Sequence, residues 1–374
     1  MFCGVNRLKC KVYSLTGRIT PKLMREAFKN VKRNRGAAGI DKVSVQMFEA
    51  NLQENLDALM RDLKTRDKFQ PKPLRRVLIP KGKDKVRPLG IPVVHDRIAQ
   101  DVLRQLLSPV FEPLFHEDSF GFRPERSCHM AIERVLDLWQ QGYKVVLDAD
   151  IQGFFDNIPH SVIMAGLRRV VADGNILGLV ERFLRAGVME NGVFKPTTVG
   201  TPQGGVFSPL LANIALNSLD WWLDEHGLRF ARYADDFVIL CSNHAQAEEA
   251  LALVRSHLEN ELKLKLSSEK THIATFSEGF EYLGFKLCSN SRTMRGKSVE
   301  NFKTKIQEIT KRSHNLDDDL ITQVNRIVRG TANYFATAVS NNRSLFRRLD
   351  RWIRMRLRCR STSENGKPII RDFA

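Results

Sequence analysis

Tyr233-Ala234-Asp235-Asp236 stands between Leu228-Arg229-Phe230 and Phe237-Val238-Ile239-Leu240, which reads as a β-hairpin with two adjacent carboxylates at its tip. Neighbouring negative charges repel, and crowded carboxylates take up protons unless a cation compensates them. A divalent metal is the natural partner for such hard oxygen ligands. An isolated Asp-Asp pair is more often an ordinary acidic turn, because short motifs match by chance. A second carboxylate site changes that balance. Val145-Val146-Leu147 runs into Asp148-Ala149-Asp150-Ile151-Gln152-Gly153-Phe154-Phe155-Asp156, a short buried strand whose end delivers an acid. Two acidic strand ends in one chain can hold two metal ions, which would clamp the attacking and leaving oxygens of a phosphoryl transfer.

Composition agrees with a polyanionic substrate. The chain has 374 residues, 43% of them hydrophobic, enough for two or three units with sizeable cores. Its formal net charge is +17, and a protein this basic most often binds nucleic acid. The six cysteines, at positions 3, 10, 128, 241, 288 and 359, form no Cys-x-x-Cys pair. That argues against a structural zinc site or a disulfide framework and for a reducing cytoplasm. No stretch approaches the ~20 apolar residues of a membrane span. The nine histidines form no His-Glu-x-x-His motif, and there is no Walker-type glycine loop.

Thr20-Pro21 predicts an N-cap followed by proline at the first helical position. Phe48, Leu52, Leu56 and Leu59 recur at helical spacing. Residues 74–91 read as a hairpin around Lys81-Gly82-Lys83-Asp84, helical patterns cover 95–114, 127–141, 160–187, 209–226 and 244–261, and a strand and turn follow at 264–273. Beyond a boundary near 295 the chain becomes helical and more basic. A helix there carries Leu345, Leu349, Trp352 and Ile353 on one face, with eight arginines among the 18 residues 343–360. That density of arginine favours phosphate contact over a merely solvated face.

Taken in order, these segments resemble a reverse transcriptase, closest to bacterial group II intron-encoded proteins and their free-standing relatives. Asp150 with Phe155 five residues on, Thr201-Pro202-Gln203-Gly204-Gly205-Val206-Phe207-Ser208-Pro209, and the Tyr-Ala-Asp-Asp hairpin resemble the palm. Lys11–Thr16 and Arg35–Asp41 resemble the family's N-terminal extension. Ile79-Pro80-Lys81 through Arg87-Pro88-Leu89-Gly90 resembles its fingers, and Ser119-Phe120-Gly121-Phe122-Arg123-Pro124-Glu125-Arg126-Ser127 the block that follows. Phe280–Phe285 and Arg329–Phe335 resemble the end of the palm and the thumb, or maturase, domain. The resemblance implies an α+β right-hand polymerase: an N-terminal extension and start of the fingers over 1–70, fingers and palm over 71–295, a helical thumb over 296–360 and a tail over 361–374. It implies RNA-directed DNA synthesis with two Mg2+ ions, Mn2+ as a substitute, on an RNA template with a DNA or RNA primer and dNTPs. A structured intron RNA is a further partner, and no membrane is involved. The chain carries nothing that resembles the family's C-terminal endonuclease. Alternatives are an RNA-binding maturase acting mainly in splicing, and a domesticated enzyme in phage defence or DNA repair.

By the same resemblance, Asp150 and Asp235 bridge both metals, Asp236 is more peripheral and the carbonyl of Ile151 completes one coordination sphere. Asp148, two residues before Asp150, shares its face of the strand, but the family pattern puts the ligand at Asp150. Phe155 is either a core aromatic, as Phe154 is, or the steric gate beneath the sugar that excludes a 2′-hydroxyl. Lys81 and Arg87 are expected to close over the triphosphate, with Lys85 ranked lower. Gln203 leads a glycine loop able to approach nucleotide or template. Lys270 resembles the lysine that protonates the leaving pyrophosphate. Arg126, Arg347, Arg351, Arg354 and Arg358 are the expected nucleic-acid contacts.

Overall fold

The structure is a computed structural model, and it describes residues 11–80, 86–201, 204–311, 318–337 and 340–361. The chain divides into two compact units at the Ile273–Ala274 junction. The fold is α+β.

In the first unit, α1 (Pro21–Arg33) starts where the sequence predicts. Thr20 Oγ1 accepts from the Leu23 N–H at 3.3 Å, and Pro21 fills a position where no N–H is needed. The apolar run from Phe48 onward is split into α2 (Val45–Ala50) and α3 (Leu52–Lys64), because Asn51 leaves the helical region (φ −122°, ψ 48°). The fingers hairpin is β1 (Leu74–Pro80) and β2 (Val86–Ile91), with Ile79 opposite Arg87. Then come α4 (Val94–Phe111) and α5 (Cys128–Gln140), the latter capped by Ser127.

The palm strand β3 (Val145–Asp150) leads through Gly153, in the left-handed region at φ 54°, into the one-turn α6 (Phe154–Asn157). The helical pattern of 160–187 resolves into α7 (His160–Val170) and α8 (Gly174–Leu184). They are separated because Val171 leaves the helix and forms a parallel bridge with Val12. Two strands absent from the sequence reading follow, β4 (Val188–Glu190) and β5 (Val193–Lys195). They extend the fingers hairpin into a four-stranded sheet ordered β2-β1-β4-β5, with β1 and β4 parallel. The long helix α9 (Ser208–Glu225) has Pro209 in its first turn, as expected.

The acidic hairpin is β6 (Arg229–Tyr233) and β7 (Asp236–Cys241). It is followed by α10 (His244–His257), a π-helical turn at Leu258–Leu262 and β8 (His272–Thr275), within which the unit junction falls. The palm sheet is ordered β6-β7-β3-β8. Val145–Leu147 and Phe237–Cys241 are buried, and Val145, Leu147, Phe237, Ile239 and Cys241 belong with α4, α7 and α9 to the large continuous core of this unit. A one-residue slip would turn every side chain of these strands to the other face and part Asp150 from Asp236, so the register positions the acids.

The second unit contains a three-stranded antiparallel sheet, β9 (Phe280–Tyr282), β10 (Phe285–Cys288) and β11 (Ser291–Met294), in the order β11-β10-β9. Three helices follow: α11 (Gly296–Ile309), α12 (Asp318–Phe335) and α13 (Arg343–Ser361). Leu349 and Ile353 are buried, as the apolar stripe predicts, and Leu345 and Trp352 are half-buried. Among the described residues no helix is long and apolar enough to cross a membrane.

Candidate active site

The palm register brings the carboxylates together. Asp150, the last residue of β3, pairs directly with Asp236, the first residue of β7, and Asp236 in turn pairs with Tyr233 across the hairpin. Asp236 is therefore a strand residue rather than part of the tip, and the turn itself is Ala234-Asp235. Asp150 and Asp235 are half-buried, whereas Asp236 is exposed. Burial pushes the Asp235 pKa above the ordinary carboxylate range and the Asp150 charge adds to that, while Arg87 on β2 and Lys270 pull it back. Four sequence-predicted residues, Asp150, Asp235, Arg87 and Lys270, thus share one electrostatic site although they lie far apart in the chain.

Lys270 is tied to the site by its loop. Asp150 C=O accepts from the Ser267 N–H at 2.8 Å, the Asp150 N–H donates to Thr271 Oγ1 at 3.3 Å, and the Thr271 N–H closes the turn on Ser267 O at 2.9 Å. The Lys270 ammonium donates to both oxygens of Asp150, at 3.0 and 2.9 Å. It sits where a cation is wanted.

That placement bears on metal fit. Among the described residues no three His, Cys, Asp or Glu side chains are gathered into a metal-holding cluster. A closed protein cage is not what hard-cation chemistry at a phosphate requires, because Mg2+ is usually held by one or two carboxylates plus waters and substrate phosphates. Paired carboxylates with one partner already neutralised by an ammonium suit such a cation, which would compete with Lys270 for Asp150.

Two features escaped the sequence reading. The first is Arg232, which reads as a surface charge on an edge strand yet is fully buried. It donates Nε to Asp220 Oδ1 at 2.6 Å, Nη2 to Asp220 Oδ2 and to Ser119 Oγ at 2.7 Å, and Nη1 to Asn213 Oδ1 at 3.0 Å. Nη1 also donates to the carbonyl of Ala234 at 2.8 Å. Asp220 is fully buried as well, and both lie deep against α9. Removing one member of a buried ion pair costs about 3–5 kcal/mol, because the other charge is stranded. Ala234 holds φ 60°, a region that residues other than glycine seldom occupy. Arg232 is the clamp that keeps that turn, and with it Asp235, in place. No local pattern marks Arg232 for burial; Asp220 on the inner face of an otherwise apolar helix was the available signal.

The second is Asp148, whose pKa is pushed up to about 7, chiefly by burial, with Asp236 and Asp150 adding to the rise and His272 opposing it. The folded protein therefore holds this proton more tightly than the unfolded chain. Ionising Asp148 weakens the fold progressively from the ordinary carboxylate pKa upward, and the full cost is reached above about pH 7. Asp148→Asn is accordingly expected to stabilise the metal-free protein at pH 8 by up to ~4 kcal/mol, at about 1.36 kcal/mol per pKa unit, and so to raise its melting temperature. At pH 4 the difference should vanish. Melting curves across that range check it, and a pH-independent difference would be inconsistent with a buried, protonated Asp148.

Ile151 is buried and pairs with Leu266 in an antiparallel bridge. Phe155 is also buried, with its ring edge-to-face on Phe154 (5.3 Å between centroids) and on Phe122 (6.4 Å). Gly204 backs onto the fingers, since a Cβ there would lie 2.1 Å from the Gly90 carbonyl oxygen, and the Val206 N–H donates to Gln100 Oε1 at 2.8 Å. Lys81, Lys85 and Gln203 lie outside the described residues. Arg126 stacks over Phe120 at 5.7 Å and donates to the Glu117 carbonyl at 3.1 Å. In the second unit, Arg347, Arg351, Arg354 and Arg358 are exposed on α13. Asp350 on the same helix accepts from Arg354 Nε at 3.0 Å. Arg356 turns inward, donating to Thr310 Oγ1 at 2.9 Å at the end of α11 and stacking over Trp352.

Comparison with known proteins was consistent with this geometry. The family model for reverse transcriptase (RNA-dependent DNA polymerase) matches residues 79–287, and that for the group II intron maturase-specific domain matches residues 299–363. The chain is similar to protein YkfC of Escherichia coli K12, at 35% identity over 307 residues that cover 71% of this chain and 80% of that protein. It is also similar to the group II intron-encoded protein LtrA of Lactococcus lactis subsp. cremoris, at 30% identity over 339 residues, covering 72% of this chain and 55% of LtrA. An uncharacterized 91 kDa protein in the cob intron of Schizosaccharomyces pombe matches at 38% identity over 170 residues, which are 46% of this chain and 21% of that one. The chain spans about half the length of LtrA.

Proposed function

Because this chain belongs to the reverse transcriptase family, in a lineage with a group II intron maturase-specific domain, we propose that it extends a DNA or RNA primer on an RNA template with dNTPs. Mg2+ is the cofactor, with Mn2+ as a substitute. The observation that carries the reading is the register that sets Asp150 against Asp236, beside a clamped Asp235 and within the field of Arg87 and Lys270.

In this reaction the primer 3′-hydroxyl attacks the α-phosphate of the nucleotide, and pyrophosphate leaves in line. Bound divalent ions lower the pKa of the hydroxyl and neutralise the departing phosphates. Asp150, Asp235 and Asp236, with the carbonyl of Ile151, would hold them. Arg87 and Lys81 pair with the triphosphate from the fingers. Lys270, displaced from Asp150, is left to deliver a proton to the departing pyrophosphate. Phe155 excludes the 2′-hydroxyl, and the loop of Gln203 and Gly204 lets backbone approach the nucleotide or template. We assign fingers and palm to 71–295 and the thumb to 296–360, close to the two family matches.

Primer extension on a homopolymer RNA template with a DNA primer, dNTPs and Mg2+ tests the proposal. Template-dependent extension that stops on chelation is expected. Its absence across metals and templates would remove the polymerase reading.

A second activity, binding of a structured intron RNA as a maturase, is favoured by the maturase-specific match and by the exposed arginine face of α13. Each phosphate contact releases counterions, so log affinity falls with log salt by about 0.7–0.9 per contact. The quadruple variant Arg347→Gln, Arg351→Gln, Arg354→Gln, Arg358→Gln is expected to shallow that slope by roughly three units. The Asp350–Arg354 pair is exposed and offers little competition. An unchanged slope would mean that RNA is held elsewhere.

A further inference from the structure

Phe122 carries a large apolar ring that is 52% exposed, on backbone in the left-handed region at φ 59°. Bulky L-residues rarely adopt that conformation, and it persists only where the surroundings enforce it. The enforcement is on both sides. Before Phe122, the Phe120 N–H donates to Arg232 O at 2.8 Å, Asn213 Nδ2 donates to Gly121 O at 2.8 Å, and Gly121 is pressed against the catalytic turn, where an added Cβ would lie 2.2 Å from the Ala234 nitrogen. After it, buried Arg123 donates to the carbonyls of His116 and Ser119, at 2.6 and 2.7 Å, and to Glu112 Oε1 at 2.8 Å. Held between these anchors, the Phe122 ring meets Phe155 edge-to-face, with planes at 76°. It leaves about half its surface open, one residue from the glycine that backs onto the Asp235 turn.

We propose that Phe122 and Phe155 form one composite wall against the sugar of the incoming nucleotide, with Phe122 setting the Phe155 ring and covering the open side of the pocket. Phe122 is then a second determinant of deoxynucleotide choice. Two rings offer no partner to a 2′-hydroxyl, so a ribonucleotide meets both a steric conflict and an unpaired, desolvated hydroxyl. The inference rests on the reading of Phe155 as a sugar gate.

Specificity constants for a deoxynucleotide and its ribonucleotide, measured on an RNA template with a DNA primer, should be compared in the wild type, Phe122→Ala, Phe155→Val and the double variant. Phe122→Ala is expected to lower discrimination on the order of tenfold, within the range a change of pocket fit commands. The double variant should discriminate no worse than Phe155→Val alone, because coupled neighbours do not act additively. Phe122→Asn, which removes the ring and tolerates left-handed backbone, should lower discrimination in the same direction and serves if the alanine variant does not fold. A ratio moved by Phe155→Val but not by either Phe122 variant overturns this inference and leaves the gate standing, as do two effects that simply multiply. A ratio unmoved by Phe155→Val overturns the gate and the composite wall together.

Discussion

Asp235→Asn is expected to abolish primer extension, lowering the rate at least ~10^3-fold, or about 4 kcal/mol at 1.36 kcal/mol per decade, while template–primer binding stays near wild type. Asparagine is isosteric with aspartate, so the turn should survive. The Arg232 guanidinium, donating to the Ala234 carbonyl, holds its shape without drawing on the Asp235 charge. What disappears is the negative charge beside Asp150 in a partly buried site, where burial and then the Asp150 charge push the carboxyl pKa up. Single-turnover extension and equilibrium RNA binding, measured on the same preparation, separate the two effects. Extension at the wild-type rate would mean that the catalytic centre is elsewhere.

Phe155→Val should produce the next largest effect, shifting the ratio of deoxynucleotide to ribonucleotide specificity constants toward ribonucleotides on the order of 10–10^2-fold. The ring is nearly covered and rests on Phe154, so truncation leaves space on the side where a 2′-hydroxyl would enter. Some stability will also be lost, because a buried ring is replaced by a smaller side chain. That loss acts on both nucleotides alike and drops out of the ratio. An unchanged ratio would return Phe155 to an ordinary core role.

The same stretches show how far local pattern reaches. The β-type residues around Tyr233–Asp236 and before Asp148 specify strands, and their acidic ends single out Asp150 and Asp236 before any contact is known. Thr20-Pro21 specifies where α1 begins, because cap chemistry is a matter of adjacent residues. Phe48 to Leu59 shows the limit, since the apolar period continues through Asn51 although the helix does not. The strands β4 and β5 were missed for another reason. At three residues each they carry too little periodicity to read, and they are strands because β1 offers an edge for β4 to join.

The sequence by itself determined which acids stand at the strand ends, the order of the segments, the basic character and the family, because these depend on residue types and short spacings. Only the tertiary structure decided which charges are buried and what they hold. Arg232 reads as an exposed strand residue until Asp220, Asn213 and Ser119 converge on it from other segments. Phe122 reads as one aromatic among many until Gly121 meets Ala234 and its ring meets Phe155. Asp148 reads as one more acid until burial near two other carboxylates raises its pKa to about 7. In each case the property belongs to an environment assembled from distant parts of the chain, and desolvation, the effect that decides it, has no local signature.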